Sequence, residues 1–277
     1  MVTCQLGQVS GRVRAMSVNE VRPVRADGGA WQPVTRSRTY ELVVDAVEEQ
    51  ILSGALSVGD PLPPERELAA MLQVSRPAVR EALRVLEAQG VLRSAVGSGS
   101  GAGTFVASMP GEALSRFLRL HIALSNFAVA DIIEARVTLE CSSVALAARA
   151  TDPGRLDDVH RAMDAMVAAG DDRTAFNDAD TAFHTAIAEA GGNRLVTAMT
   201  VAIRNALRGR ILVAFQGIDD WSALRAELMD EHAALLAAIE AGDAERASRL
   251  AEDHIRESYA RLPALDGSSS GTTAPSR

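Results

Sequence analysis

LPPERELAAMLQVSRPAVREALRVLEAQG, residues 62–90, decides how the rest of the chain is read. At helical period it forms two short helices joined by a tight turn. The first runs from about Glu65 to Leu72, with Leu68, Ala69 and Leu72 on one apolar stripe. Gln73, Val74 and Ser75 make the turn. The second starts near Arg76, and Pro77 is tolerated because a first-turn N–H has no intrahelical partner. Val79, Ala82, Leu83 and Leu86 follow the spacing of a buried stripe. Arg76, Arg80 and Arg84, four apart, are left on the opposite side, facing water. A helix held by a partner and showing a row of arginines suits the major groove of DNA. The plainer alternative is a helix pair with a charged surface.

The flanking sequence favours the groove reader. Leu42, Val43, Ala46, Val47 and Ile51 mark an earlier amphipathic helix over 39–52, which Ser53-Gly54 ends. A Gly-rich hairpin, SAVGSGSGAGTFV (94–106), follows the pair. Three helices and a β-wing make a winged helix-turn-helix. VGDPLPPERELAAMLQVSRPAVREALRVLEAQGVL, with GTFV after the wing, resembles the DNA-binding domain of the GntR family of bacterial repressors. The resemblance implies that Ser75, Arg76 and Arg80 contact bases or phosphates of a double-stranded DNA operator, and that Arg66 abuts the phosphate backbone. A surface ion pair with Glu65 or a neighbour is the alternative for Arg66. The wing departs from the family pattern: its tip, GSGSGAG (97–103), is longer and uncharged, so little minor-groove or phosphate contact is expected there.

Charge is uneven along the 277 residues. Residues 1–107 hold 11 Arg and 11 acids, while 108–277 hold 17 Arg and 25 acids, which accounts for the net charge of −8. Such asymmetry suggests different partners for the two halves. A neutral first half implies weak non-specific DNA binding and dependence on a dimer and the correct site. Cys4 and Cys141 are too few for a disulfide framework and suit a reducing cytoplasm. No apolar run approaches the roughly 20 residues of a membrane span, and no secretion signal is visible.

The expected organisation is mainly α. Residues 1–36 form a tail without periodicity, disordered or serving as a basic arm. Residues 37–107 are the winged helix-turn-helix. Residues 108–263 are an antiparallel all-α bundle, and 264–277 a polar, disordered tail. Helices are expected near 112–124, 129–150, 154–169, 172–189, 194–215, 221–240 and 244–261. Asp152-Pro153, Gly191-Gly192-Asn193 and Gly242-Asp243 punctuate them.

Five histidines occur, His121, His160, His184, His232 and His254. Asp180 and His184, four apart, project from one helix face. His232 and His254 lie at similar distances from Gly242, so a hairpin of the last two helices brings them to one height. Three imidazoles and a carboxylate suit zinc, nickel or manganese. Isolated surface or core histidines and a plain Asp–His ion pair are the alternatives. DTAFHTAIAEAGGN (180–193), EHAALLAAIEAGD (231–243) and His254 resemble the FCD effector domain of the FadR-type branch of GntR regulators. That resemblance implies a divalent metal on Asp180, His184, His232 and His254.

IIEARVTLECSSVALAARA (132–150) carries Glu134, Arg136 and Glu140 on an otherwise apolar helix. The resemblance implies that Arg136 meets an effector carboxylate, which its forked guanidinium suits. Bridging to Glu140 is the alternative, and Arg204 and Arg208 are weaker candidates. The family thus implies a homodimeric, metabolite-responsive regulator that binds a small organic acid, a small carboxylate being favoured over acyl-CoA. One rival is a metal-dependent hydrolase with an accessory DNA domain and Glu189 as a base. Another is a purely structural metal in a dimerisation bundle.

Overall fold

The computed structural model describes residues 39–95, 102–108, 111–150 and 153–262. Both expected tails, residues 97–101 of the wing tip, the Met109-Pro110 part of the linker and the Asp152 cap lie outside the described residues.

Helix α1 (Thr39–Leu52) precedes α2 (Glu65–Met71) and α3 (Arg76–Ala88). Strands β1 (Leu92–Ala95) and β2 (Gly103–Val106) pair antiparallel, Leu92 opposite Val106, and make the wing. Leu62 adds to it by donating its N–H to the Thr104 carbonyl at 2.8 Å. One apolar core holds the unit together: Val43 and Val47 of α1, Leu68 and Ala69 of α2, Val79, Ala82, Leu83 and Leu86 of α3, and Leu92 and Val106 of the wing. Leu42, expected in the α1 stripe, is instead exposed. The stripe is centred on Val43 and Val47, about 100° around the helix from it. Leu72 falls just past α2 and is half-buried.

The turn between α2 and α3 is tight. Gln73 takes a positive φ of 53°, a conformation costing an L-residue about 1 kcal/mol. The Val74 N–H closes on the Ala69 carbonyl at 3.0 Å. Ser75 caps α3, its hydroxyl accepting from the Ala78 N–H.

Seven further helices follow among the described residues: α4 (Gly111–Ala123), α5 (Val129–Ala148), α6 (Asp157–Ala169), α7 (Arg173–Ala190), α8 (Arg194–Gln216), α9 (Trp221–Glu240) and α10 (Ala244–Arg261). Residues 153–156, expected as the first turn of a longer helix, form a separate 3-10 turn. Asn193 and Asp243 cap α8 and α10 by accepting backbone N–H groups at 3.0 to 3.2 Å. Helix α5 packs on α7, α8, α9 and α10, so it runs through the centre of the bundle. That position explains why its stripe is apolar and why its polar residues Arg136 and Glu140 are buried.

Candidate metal centre and DNA-reading face

Asp180 and His184 stand one helical turn apart on α7, a helix whose inner face also buries Phe176, Phe183 and Ile187. The hairpin of α9 and α10 brings His232 and His254 against them. All four side chains are buried, and one ligand-capable atom from each lies within 4.8 Å of the others. His184 Nε2 is 3.2 Å from His232 Nε2, and His232 Nε2 is 3.2 Å from Asp180 Oδ1. Adjacent Phe183 packs on both imidazoles, with ring centroids 5.3 Å from His184 and 4.9 Å from His232.

The outer nitrogens are held by carboxylates. His254 Nδ1 is 2.6 Å from Glu231 Oε2, and His184 Nδ1 is 3.4 Å from Glu140 Oε2. The short His254 contact directs its Nδ1 proton outward and leaves its Nε2 as a lone-pair donor toward the cluster, the arrangement that tunes histidine ligands. Burial, the largest influence on both, pulls His184 and His254 below the ordinary imidazole range, so they stand neutral. For Asp180 burial works the other way. The hydrogen bond with His232 and the charges beside it, Arg204 the permanent one, outweigh burial and keep the carboxyl ionised. One carboxylate and three imidazoles fit a divalent transition ion by donor type and number.

Two arginines flank the cluster. Arg136 Nε donates to Glu140 Oε1 at 2.8 Å. Arg204 donates through Nε to Glu140 Oε2 at 3.0 Å and through Nη1 to Asp180 Oδ2 at 3.2 Å. Arg136 therefore makes the bridge to Glu140 and also lines a cavity of about 30 Å³ with Asp180, Arg204, His254, Ser258 and Tyr259. Arg204, ranked below Arg136 by sequence, is equally buried and touches a cluster residue directly. Arg208 does not join them; it pairs with Asp178 on the exposed side. Sequence analysis missed Glu231. The only trace of it was an acid adjacent to His232, which carries no information about a contact with His254 on another helix. A larger cleft, about 730 Å³ between α3, α4 and α8, contains none of the four cluster residues.

On the N-terminal unit, Arg66, Ser75, Arg76, Arg80 and Arg84 are all exposed. Glu65 is engaged by Arg80 rather than by Arg66: Nη2 donates to Oε2 at 2.9 Å and Nε to Oε1 at 3.2 Å. This pair ties the N-terminus of α2 to the outer face of α3.

A winged helix-turn-helix followed by an all-α bundle defines a DNA-binding transcription regulator. The profile for bacterial regulatory proteins of the gntR family matches residues 39–106, and that for the FCD domain matches residues 131–257. The chain thus joins a GntR-family DNA-binding domain to an FCD domain, an architecture consistent with the FadR-type branch. The HTH-type transcriptional repressor NanR of Cronobacter sakazakii is 29% identical over 246 residues, covering 84% of this chain and 89% of that protein. NanR of Escherichia coli K12 is 29% identical over 230 residues, covering 81% and 84%. A solved Streptococcus agalactiae GntR shares the fold, with a TM-score of 0.57 at 24% identity over 80% of this chain and 98% of that one. These relatives are regulators, and the hydrolase alternative finds no support among them. Glu189, its candidate base, is exposed on α7 and outside the cluster. FCD domains commonly bind metal, and this one has a buried His/Asp cluster. Among the described residues, no helix is long and apolar enough to cross a membrane.

Proposed function

We propose that this regulator is a cytoplasmic homodimeric repressor whose helical domain holds a divalent transition metal and a small organic acid, and that acid binding changes its affinity for an operator. The domains assigned to these tasks are residues 37–107 and 108–263. The observation that carries the proposal is the convergence of Asp180, His184, His232 and His254 beside two buried arginines. Zinc, nickel and manganese all suit the donor set. When bound, such an ion supplies a Lewis-acid position for an acid oxygen. Arg136 and Arg204 are the groups that would orient a carboxylate, their planar forks matching its two oxygens.

Arg66, Ser75, Arg76 and Arg80 are assigned to DNA. Arg66 and Arg76 are exposed and have no ion-pair partner among the described residues, so they are available to phosphates or base edges without breaking a contact. Two copies would set two α3 helices on a pseudo-palindrome. Phe117 and Leu120, exposed on α4, with Leu124 just past its end, offer an apolar face for the second copy. Repression is the activity named for the NanR relatives.

The test combines metal analysis of the purified protein with a thermal-shift panel of hydroxy, keto and sugar acids, followed by operator gel shifts with any acid that stabilises the fold. Stoichiometric metal and an acid that both stabilises the protein and shifts operator affinity are expected. The small cavity favours a second reading, an ion that is structural only. Metal without any acid response would select it.

A further inference from the structure

A group of arginines outside both the His/Asp cluster and the reading face has no task in the function proposed above. Arg116 and Arg119, three apart on α4, share one face of that helix. On β1, Arg93 follows buried Leu92 and so points outward. All three line the cleft of about 730 Å³, together with Arg208 of α8 and the acids Glu87 and Glu112. Elsewhere Arg80, Arg136, Arg204, Arg249, Arg256 and Arg261 each engage a carboxylate. In the cleft Arg208 has Asp178, and Glu87 accepts from the Ser94 hydroxyl. The other three arginines have no ion pair among the described residues. The Arg93 guanidinium lies over the Phe105 ring, 5.0 Å from its centroid. Arg116 directs one N–H to the neutral Ala88 carbonyl, and Arg119 makes no hydrogen bond of its own. A chain of net charge −8 that gathers uncompensated guanidiniums around one concavity focuses positive potential there, where it draws anions.

We propose that this cleft binds the phosphate monoester of a small hydroxylated molecule, such as a sugar, and that the bound ester changes operator affinity. A phosphate presents three oxygens and close to two charges, so it takes guanidinium forks from several sides at once. Glu87 and Glu112 in the same cleft are acceptors for the hydroxyls of the carrier. The volume is in the range of small-molecule sites, whereas the cavity at the cluster is about 30 Å³. Operator DNA does not reach this place. Ala88 ends α3, twelve residues past Arg76 and so about 18 Å along the axis from the reading end. Arg93 and Glu87 belong to the winged unit, and Arg116, Arg119 and Arg208 to the bundle helices α4 and α8. An ester held between them favours one orientation of the two, which is how a ligand away from the DNA face alters DNA binding. The inference is independent of the metal and of the acid-binding function.

The experiment uses the full-length protein and calorimetry at about 0.15 M salt, where loose surface attraction is screened. Glucose 6-phosphate, ribose 5-phosphate and glycerol 3-phosphate are compared with glucose, ribose, glycerol and inorganic phosphate. At least one ester should bind with a Kd below about 1 mM, tighter than inorganic phosphate and than its unphosphorylated counterpart. The same ester should shift operator affinity in a gel shift. Arg93→Ala and Arg119→Ala, both at exposed positions, should each weaken the ester by about tenfold or more and remove the shift. Melting temperature, metal content and ester-free operator affinity should stay at wild-type values in both. A wild type that binds no ester overturns the inference, and so does ester binding that survives the double variant. Inorganic phosphate binding as tightly as every ester would leave an adventitious ion only. Operator binding lost in Arg119→Ala without any ester would assign these arginines to DNA phosphates instead and overturn it as well.

Discussion

The Glu140 carboxylate accepts a hydrogen bond from Arg204 Nε at 3.0 Å, a buried pair between residues sixty-four positions apart on α5 and α8. Arg136 engages its other oxygen. One carboxylate thus engages two buried guanidiniums beside the His/Asp cluster. Glu140→Ala would leave Arg136 without its carboxylate and Arg204 with Asp180 alone, and removing one partner of a buried pair typically costs about 3–5 kcal/mol. Denaturant unfolding should show a loss of that order, larger than for Glu134→Ala on the exposed side of the same helix.

Acid should destabilise the metal-free protein in two stages. His184 and His254 lie below the ordinary imidazole value of 6.5, burial being the first cause for both. The unfolded chain takes up these protons near 6.5 and the folded chain does not. Their contribution to stability is therefore present above 6.5 and declines below it, by at most about 1.4 kcal/mol per pH unit for each group. Glu140 is held at about 2 against an ordinary 4.5; burial alone would raise it, but Arg136 and Arg204 prevail. Its contribution is intact above 4.5 and lost as pH falls toward 2. Melting temperatures from pH 8 to 3 should be flat to about 6.5, fall, and fall again below 4.5. A midpoint unchanged between pH 7 and 5 would contradict the neutral, buried imidazoles.

Glu231 is the carboxylate behind His254, and Arg261 Nη2 in turn donates to its Oε1 at 2.6 Å. Glu231→Gln should lower metal affinity by about 10- to 100-fold, measured by competition with a chelating dye. His232→Ala should abolish metal binding altogether while sparing operator binding. Stoichiometric metal in that variant would remove His232 from the ligand set.

Arg80 must leave Glu65 to meet a base or phosphate. The pair is solvent-exposed, and such pairs contribute little, so DNA can compete for the guanidinium. Arg80→Ala should weaken operator binding by one to two orders of magnitude, roughly. Glu65→Gln should leave it unchanged or strengthen it. Equal gel shifts for wild type and Arg80→Ala would leave the pair with a purely structural role.

Arg116 on α4 donates through Nη2 to the Ala88 carbonyl, at the C-terminal end of α3, at 2.7 Å. Helix α4 also packs on α8, which carries Arg204. A chain of contacts therefore runs from Arg204's helix to α3. Arg116→Ala should preserve metal and acid affinity and shrink the acid-induced change in operator affinity. Acid titrations of both variants against labelled operator would measure it.

Helix limits were legible because caps and periodicity act within a few residues. Asn193 and Asp243 cap the helices they were expected to start, and α1, α9 and α10 run over the expected spans. Asp180 and His184 could be set on one face from their spacing alone. Arg204 could not be ranked above Arg208: both lie on α8, four residues apart, yet one faces Glu140 and the other Asp178 at the surface. Helix rotation about its own axis decides that difference, and in an Ala-rich helix the apolar stripe is too diffuse to specify it.

Sequence by itself determined the order of the elements, the winged helix-turn-helix with its arginine row, and a helical second half containing four ligand-type residues. Each depends on interactions between neighbours in the chain, where the backbone geometry is set by local sterics and hydrogen bonding. Tertiary structure alone decided that Glu231 backs His254, that Glu140 joins two arginines, and that Arg80 rather than Arg66 takes Glu65. Those outcomes depend on how distant helices pack and which rotamers the packing leaves open, and no local spacing encodes them.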